Sequence, residues 1–170
     1  MIWSTSRGSG APMMIGNILL SMGPEVGKAY LLRLAKQSIA KSTASNRQIL
    51  DLVIAGEYPI ALHIFNHHAL ISRKAGAPVD WQPLEPVTAT FNGTGLAKNA
   101  PHPHTAMLFL DFIFSKKGQK IFQDVDYLPA HPEMPARQVD LKPGGGRFKR
   151  ANYVSPDVQY EKGNEWIDFF

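Results

Sequence analysis

Apolar positions along this chain fall into two periodicities, and their order predicts alternating strands and helices. Residues 1–5 read as a strand, followed by a Ser/Gly turn and a helix starting near Pro12, where proline suits the first turn. Over 24–36, Val26, Tyr30, Leu31, Leu34 and Ala35 fall on one helical face, with Pro24 and Glu25 suited to its start. Ser45 is placed to cap a helix carrying Ile49, Leu50, Leu52, Val53 and Ile54, which Gly56 closes. Residues 58–65 form an apolar run without polar alternation, the pattern of a strand covered on both faces. Helical character returns over 66–74, and 79–84 and 87–97 read as extended. A long helix follows over 104–115, its apolar face built from Met107, Leu108, Leu110, Phe112 and Ile113. A further helix is predicted over 117–125, a Pro/Gly-rich connection over 129–146, and a terminal helix over 157–170. Strands alternating with helices make the fold class α/β.

Composition narrows the chemistry. The chain has 170 residues, 44% of them hydrophobic, so it can bury a core without staples. It has no cysteine, which excludes a thiol nucleophile, a Cys-ligated zinc, an iron–sulfur cluster and a disulfide framework. The net charge of +4 is scattered along the chain, and its densest run, Arg147, Lys149 and Arg150, follows three glycines. A solvated basic loop accounts for that run, so no nucleic-acid partner is expected. No window approaches the ~18 consecutive apolar residues of a membrane span. The first 22 residues do not read as a secretion signal either, because Gly16 and Asn17 interrupt the apolar run.

Catalytic motifs are missing. Gly8-Ser9-Gly10 lacks the spacing of a nucleophile elbow, and there is no P-loop, dinucleotide fingerprint or His-Glu-x-x-His pattern. An enzyme and a cofactor are therefore not expected. Two stretches carry binding chemistry instead. Ser4-Thr5-Ser6-Arg7-Gly8-Ser9-Gly10 lies between a strand and a helix, where free backbone N–H groups favour an anion and Arg7 can pair with a carboxylate or phosphate. The plainer reading is a flexible helix cap with a solvated arginine. Asn66-His67-His68 follows the apolar strand and offers two imidazoles for a divalent metal or for hydrogen bonds to an organic anion. Adjacent residues on a helix diverge by about 100°, so joint chelation by His67 and His68 requires a turn. His63 reads as a satisfied interior histidine within the strand, and His102 and His104 as surface or capping residues. Thr94 between two glycines and Tyr127 before Leu128-Pro129 each have a plain turn or packing explanation.

Several stretches together resemble a known family. They are Gly27-Lys28-Ala29-Tyr30-Leu31, the run from Leu52 through Gly56 to Ala61, Lys74-Ala75-Gly76-Ala77-Pro78-Val79, and the segment from Gly95 to Gln119. Within the last, Pro101-His102-Pro103, Leu108-Phe109-Leu110-Asp111-Phe112 and Ser115-Lys116-Lys117-Gly118-Gln119 are the most specific. These resemble the extracellular solute-binding proteins of ABC transporters, family 1, in the branch that includes ferric-ion-binding proteins. The resemblance covers about residues 1–135. It implies a fold like the type II periplasmic binding proteins, with two α/β lobes and ligand held in the cleft between them.

The resemblance further implies that this sequence is the C-terminal half of such a protein. Residues 1–85 would be the ligand-binding second lobe, 86–128 the crossover strand and helices of the first lobe, and 129–170 the return to the second. The implied partners are a small, anionic solute and an ABC permease in the inner membrane. The implied location is periplasmic, with the signal peptide outside this chain. Ligand contacts are expected from Ser6, Arg7, Gly8 and Ser9, and from Asn66, His67 and His68. Ferric-binding members carry an Asn and two adjacent tyrosines at the last position. Histidines stand here instead, and hard Fe(III) prefers anionic oxygen to imidazole. The alternative is a divalent metal or metal chelate held by His67 and His68, and after it a non-transport interaction domain. Apolar faces such as Met107, Phe109, Phe112 and Phe114, made for absent strands, would favour a homodimer or a domain swap.

Overall fold

The computed structural model describes every residue but Arg7, Gly8, Ser9, Asn92 and Phe170, and leaves aside the side chains of Ile167 and Phe169. It divides into two compact units, Met1–Thr90 with Lys149–Phe170, and Phe91–Phe148.

The first unit starts with strand β1 (Ile2–Ser4), which helices α1 (Ala11–Met22) and α2 (Pro24–Ala35) connect to β2 (Ala40–Ser42). Helix α3 (Asn46–Ile54) then leads to β3 (Ala61–Leu62) and α4 (Asn66–Lys74). The three strands are parallel in the order β2-β1-β3, with Trp3 beside Lys41 and Leu62. Parallel strands need crossover connections, and the right-handed crossover places α1 and α2 on one face and α3 on the other. Successive side chains of β1 point to opposite faces, so Trp3 and Ile2 anchor different layers. Trp3 packs with Met13 and Ile15 of α1, Leu31 of α2, and Val154 and Trp166 from the end of the chain. Ile49 and Leu50 of α3 and Ala69 and Leu70 of α4 are also buried.

Helix starts follow local chemistry. Ser45 and Gln48 make a reciprocal capping box at α3: the Ser45 hydroxyl accepts from the Gln48 amide, and the Gln48 side chain accepts from the Ser45 amide. Proline stands in the first turns of α1 and α2. At Gly10 a side chain has no room, because a Cβ would lie 2.3 Å from the Ser4 carbonyl oxygen.

Beyond α4 the chain forms β4 (Val87–Ala89), and after the second unit it returns as β5 (Ala151–Tyr153), parallel to β4, before helix α7 (Pro156–Phe169). Two devices fasten this pair within the first unit. The Glu85 carboxylate accepts from the Lys149 and Arg150 amides, each at 3.1 Å. Those bonds, the Lys149 amide foremost, hold its carboxyl below the usual range, helped by the Arg150 guanidinium. On α1, buried Asn17 donates to the Pro86 carbonyl (2.7 Å) and the Thr88 hydroxyl (2.9 Å) and accepts from Asn152 (3.0 Å).

The second unit contains α5 (Pro103–Phe114), α6 (Lys116–Asp124) and a 3-10 turn at Val139–Leu141. Ser115 caps α6, accepting from the Gly118 amide. A Cβ at Gly118 would sit 2.2 Å from the Phe112 carbonyl oxygen, so only glycine permits this tight α5–α6 junction. Buried Gln119 then bridges it, donating to the Ile113 carbonyl (2.9 Å) and accepting from the Ala130 amide (2.6 Å). No residue of α5 is buried.

The predicted elements need correction in four places. The strand expected over 58–65 is reduced to Ala61–Leu62, because Pro59 brings no amide donor and His63 turns the chain with φ 56°. His63 therefore lies beyond the strand and not within it. Residues 79–84 form no strand; there the Asp80 carboxylate accepts from the Trp81 amide and pairs with Arg73 at 2.9 Å. Among the described residues of the extended stretch 87–97, only Val87–Ala89 pair. Strands β2 and β5 were not anticipated.

Candidate functional site

Strand order locates the site. From β1 the chain moves outward to β2, then crosses back over β1 to reach β3, so the order reverses between β1 and β3. In open parallel sheets ligands bind at such a reversal, outside the carboxyl ends of the strands. The segments leaving β1 and β3 are the two that the sequence singled out.

The exit of β1 is fixed by hydroxyl groups. Buried Ser4 donates from Oγ to the Ala44 carbonyl (2.6 Å) and accepts from the Ser6 amide (3.1 Å). Thr5 donates through both its amide (2.7 Å) and its hydroxyl (3.1 Å) to the Ser42 carbonyl. The Ser6 carbonyl accepts from the Gly10 amide at 2.9 Å. Ser6 thus stands at the carboxyl edge with its backbone committed to the turn. Arg7, Gly8 and Ser9, expected beside it, lie outside the described residues.

Asn66, His67 and His68 make the first turn of α4, directly after β3. The two imidazoles meet edge to face, with ring centroids 4.4 Å apart, and Phe65 lies against both. Burial holds His67 down at about 4, and the neighbouring His68 adds to the effect. His68 is lowered as well, by burial first and then by the Arg47 guanidinium, with Asp51 opposing. Arg47 is itself tied to Asp51 and, at 2.7 Å, to the Ser72 hydroxyl. His68 Nδ1 is buried with no hydrogen-bond partner among the described residues. At neutral pH these imidazoles are uncharged, able to donate and accept hydrogen bonds or to ligate a soft cation. Among the described residues no group of three or more His, Cys, Asp or Glu is arranged to hold a metal.

Sequence reasoning missed the neighbouring cavity of about 380 Å³, lined by Trp3, Thr5, Ala11, Pro12, Ile15, Lys41, Ser42 and Thr43. Its polar half comes from the exit of β2, a strand too short and too weakly apolar to announce itself. The pairing of Lys41-Ser42-Thr43 with the capping Ser45 was the available signal, since it places a turn after an extended stretch.

A family model described as bacterial extracellular solute-binding protein matches residues 8–125. No curated protein and no solved structure gives a significant match. The match makes the chain a solute binder and not an enzyme, in a family with a periplasmic or extracellular setting and small-molecule ligands. The chain belongs to the bacterial extracellular solute-binding proteins.

Proposed function

We propose that this protein is the substrate-binding component of an ABC import system, capturing a small anionic solute for delivery to a membrane permease. The observation that carries the reading is the reversal of strand order between β1 and β3, from whose shared carboxyl edge the segments of Ser6 and of Asn66, His67 and His68 emerge. The first compact unit is the ligand-binding lobe in this reading. Ser6 with Arg7, Gly8 and Ser9 makes one wall, in which Arg7 supplies the charge. Asn66, His67 and His68 make the other, and their neutral imidazoles contribute hydrogen bonds without charge.

The neutrality of the two histidines also favours a second reading, a divalent cation or its chelate at His67 and His68, since uncharged imidazole is the ligating form. Calorimetric titration separates the two. Small carboxylates and phosphate are expected to release heat on binding, with Arg7→Ala weakening the affinity about tenfold or more. Binding of zinc or nickel, abolished by His67→Ala with His68→Ala, establishes the metal reading instead. Carboxylate or phosphate affinity indifferent to Arg7→Ala defeats the proposed anion wall.

A further inference from the structure

The cavity between β1, β2 and the start of α1 joins an apolar floor to an uncharged polar rim. Its floor is Trp3, Ala11, Pro12 and Ile15, all buried. Lys41, the one charged residue among those lining it, is already engaged in an interaction of its own. The rim follows from strand register. Trp3 stands beside Lys41 and Ser4 beside Ser42, so the next pair is Thr5 beside Thr43. The Thr5 amide donates to the Ser42 carbonyl at 2.7 Å, which carries the parallel ladder to that point. Side chains two apart share a face, so both threonines lie on the face of Trp3, on strands about 4.8 Å apart. Both line the cavity. Their hydroxyls offer opposite halves of a hydrogen bond. Thr5 Oγ1 spends its hydrogen on the Ser42 carbonyl (3.1 Å) and is left to accept. The Thr43 hydroxyl makes no hydrogen bond among the described residues, so it is able to donate. A volume of about 380 Å³ lies within the usual range for small-molecule sites, where apolar walls supply affinity and a few polar groups fix orientation.

We infer that this cavity is a second binding site, which takes a compact neutral alcohol: its apolar body rests on the Trp3 floor, and its hydroxyl donates to Thr5 Oγ1 and accepts from Thr43. The site goes beyond the capture of an anionic solute and does not depend on it. One acceptor beside one donor is the complement of a single hydroxyl group. A hydrocarbon would leave both threonine groups unanswered once water is displaced, and an ion would give up its hydration with no counter-charge waiting.

Titration calorimetry of the whole chain with four probes of one ring size tests the inference: cyclohexanol, cyclohexyl methyl ether, cyclohexanecarboxylate and cyclohexylammonium. Cyclohexanol is expected to bind, and the ether, which has no hydrogen for Thr5, to bind about fivefold or more weakly. Both ions are expected to be weaker than the alcohol by about tenfold or more. Thr43 is exposed, so Thr43→Val, which keeps the side chain's shape, should fold with an unchanged melting temperature and lose about fivefold or more in affinity for cyclohexanol. Thr43→Ser should keep most of it. The inference is overturned if cyclohexanol fails to bind, if its ether or either ion matches it, or if Thr43→Val leaves its affinity unchanged. The anion wall has its own test in Arg7→Ala, and neither result decides the other.

Discussion

Single residues carry the site's response to pH. His63 and His67 are both held at about 4, His63 by burial alone, against 6.5 when free. Between about pH 6.5 and 4 the unfolded chain therefore binds more protons than the folded one, and stability falls as pH falls. Above that window the histidines contribute no slope. Melting temperatures followed by circular dichroism should decline across it, and a flat profile would contradict the assignment. His63→Asn should make the decline shallower, because it removes one titrating group and asparagine tolerates the left-handed backbone at φ 56°. His63→Val should instead cost about 1–2 kcal/mol at neutral pH, since a β-branched side chain is poorly accommodated there. The left-handed His63 also explains why periodicity misplaced it. Hydropathy registers an apolar run through Ile60, Leu62, Ile64 and Phe65, but the backbone sign of one residue decides where the strand stops.

Elements are held by polar devices that the hydrophobic pattern leaves unseen. Asn17 sits in an apolar stretch of α1, yet it binds Pro86 just before β4, Thr88 within it and Asn152 of β5, with Ser21 joining at 2.7 Å from Asn152. Asn17→Ala should cost about 2–3 kcal/mol, because three half-buried partners lose their bonds to a buried side chain at once. Chemical denaturation measures this; a loss under about 0.5 kcal/mol, typical of a surface site, would show that the network is dispensable. Legibility followed chemistry of short range. The Ser45–Gln48 capping box and the helix starts at Pro12 and Pro24 were readable because cap and helix lie within a few residues. Ser115, Gly118 and Gln119, among the residues most specific to the family resemblance, have a structural meaning here: a cap, a close approach and a bridge to Ala130. Strands β2 and β5, three residues each, were not readable, since their pairing partners lie far along the chain.

On the scale of the whole molecule, exposed apolar surface is the dominant unmet demand. On α5, Leu108 is 70% exposed and Phe109 60%, and Met107, Phe112 and Phe114 are exposed beside them. Water disfavours so much contiguous apolar area, and a second copy of the chain can cover it. Light scattering at rising concentration should show species heavier than 18.8 kDa, diminished by Leu108→Lys with Phe109→Lys, and a strictly monomeric protein would refute this. The fold class was legible at this scale from the order of elements. The cavity was not, because it joins β1, α1 and the exit of β2, brought together only by folding. The β4–β5 pair has one more consequence, for tolerance to change in chain length. Both strands and their Glu85 and Asn17 fastenings belong to the first unit, so everything from Phe91 to Phe148 is an excursion whose two ends are clasped. Closing such an excursion costs entropy that grows only with the logarithm of its length, ~0.6 kcal/mol per doubling for flexible chain. Between β4 and β5, therefore, flexible segments inserted beside the compact second unit add little penalty to the strand pair.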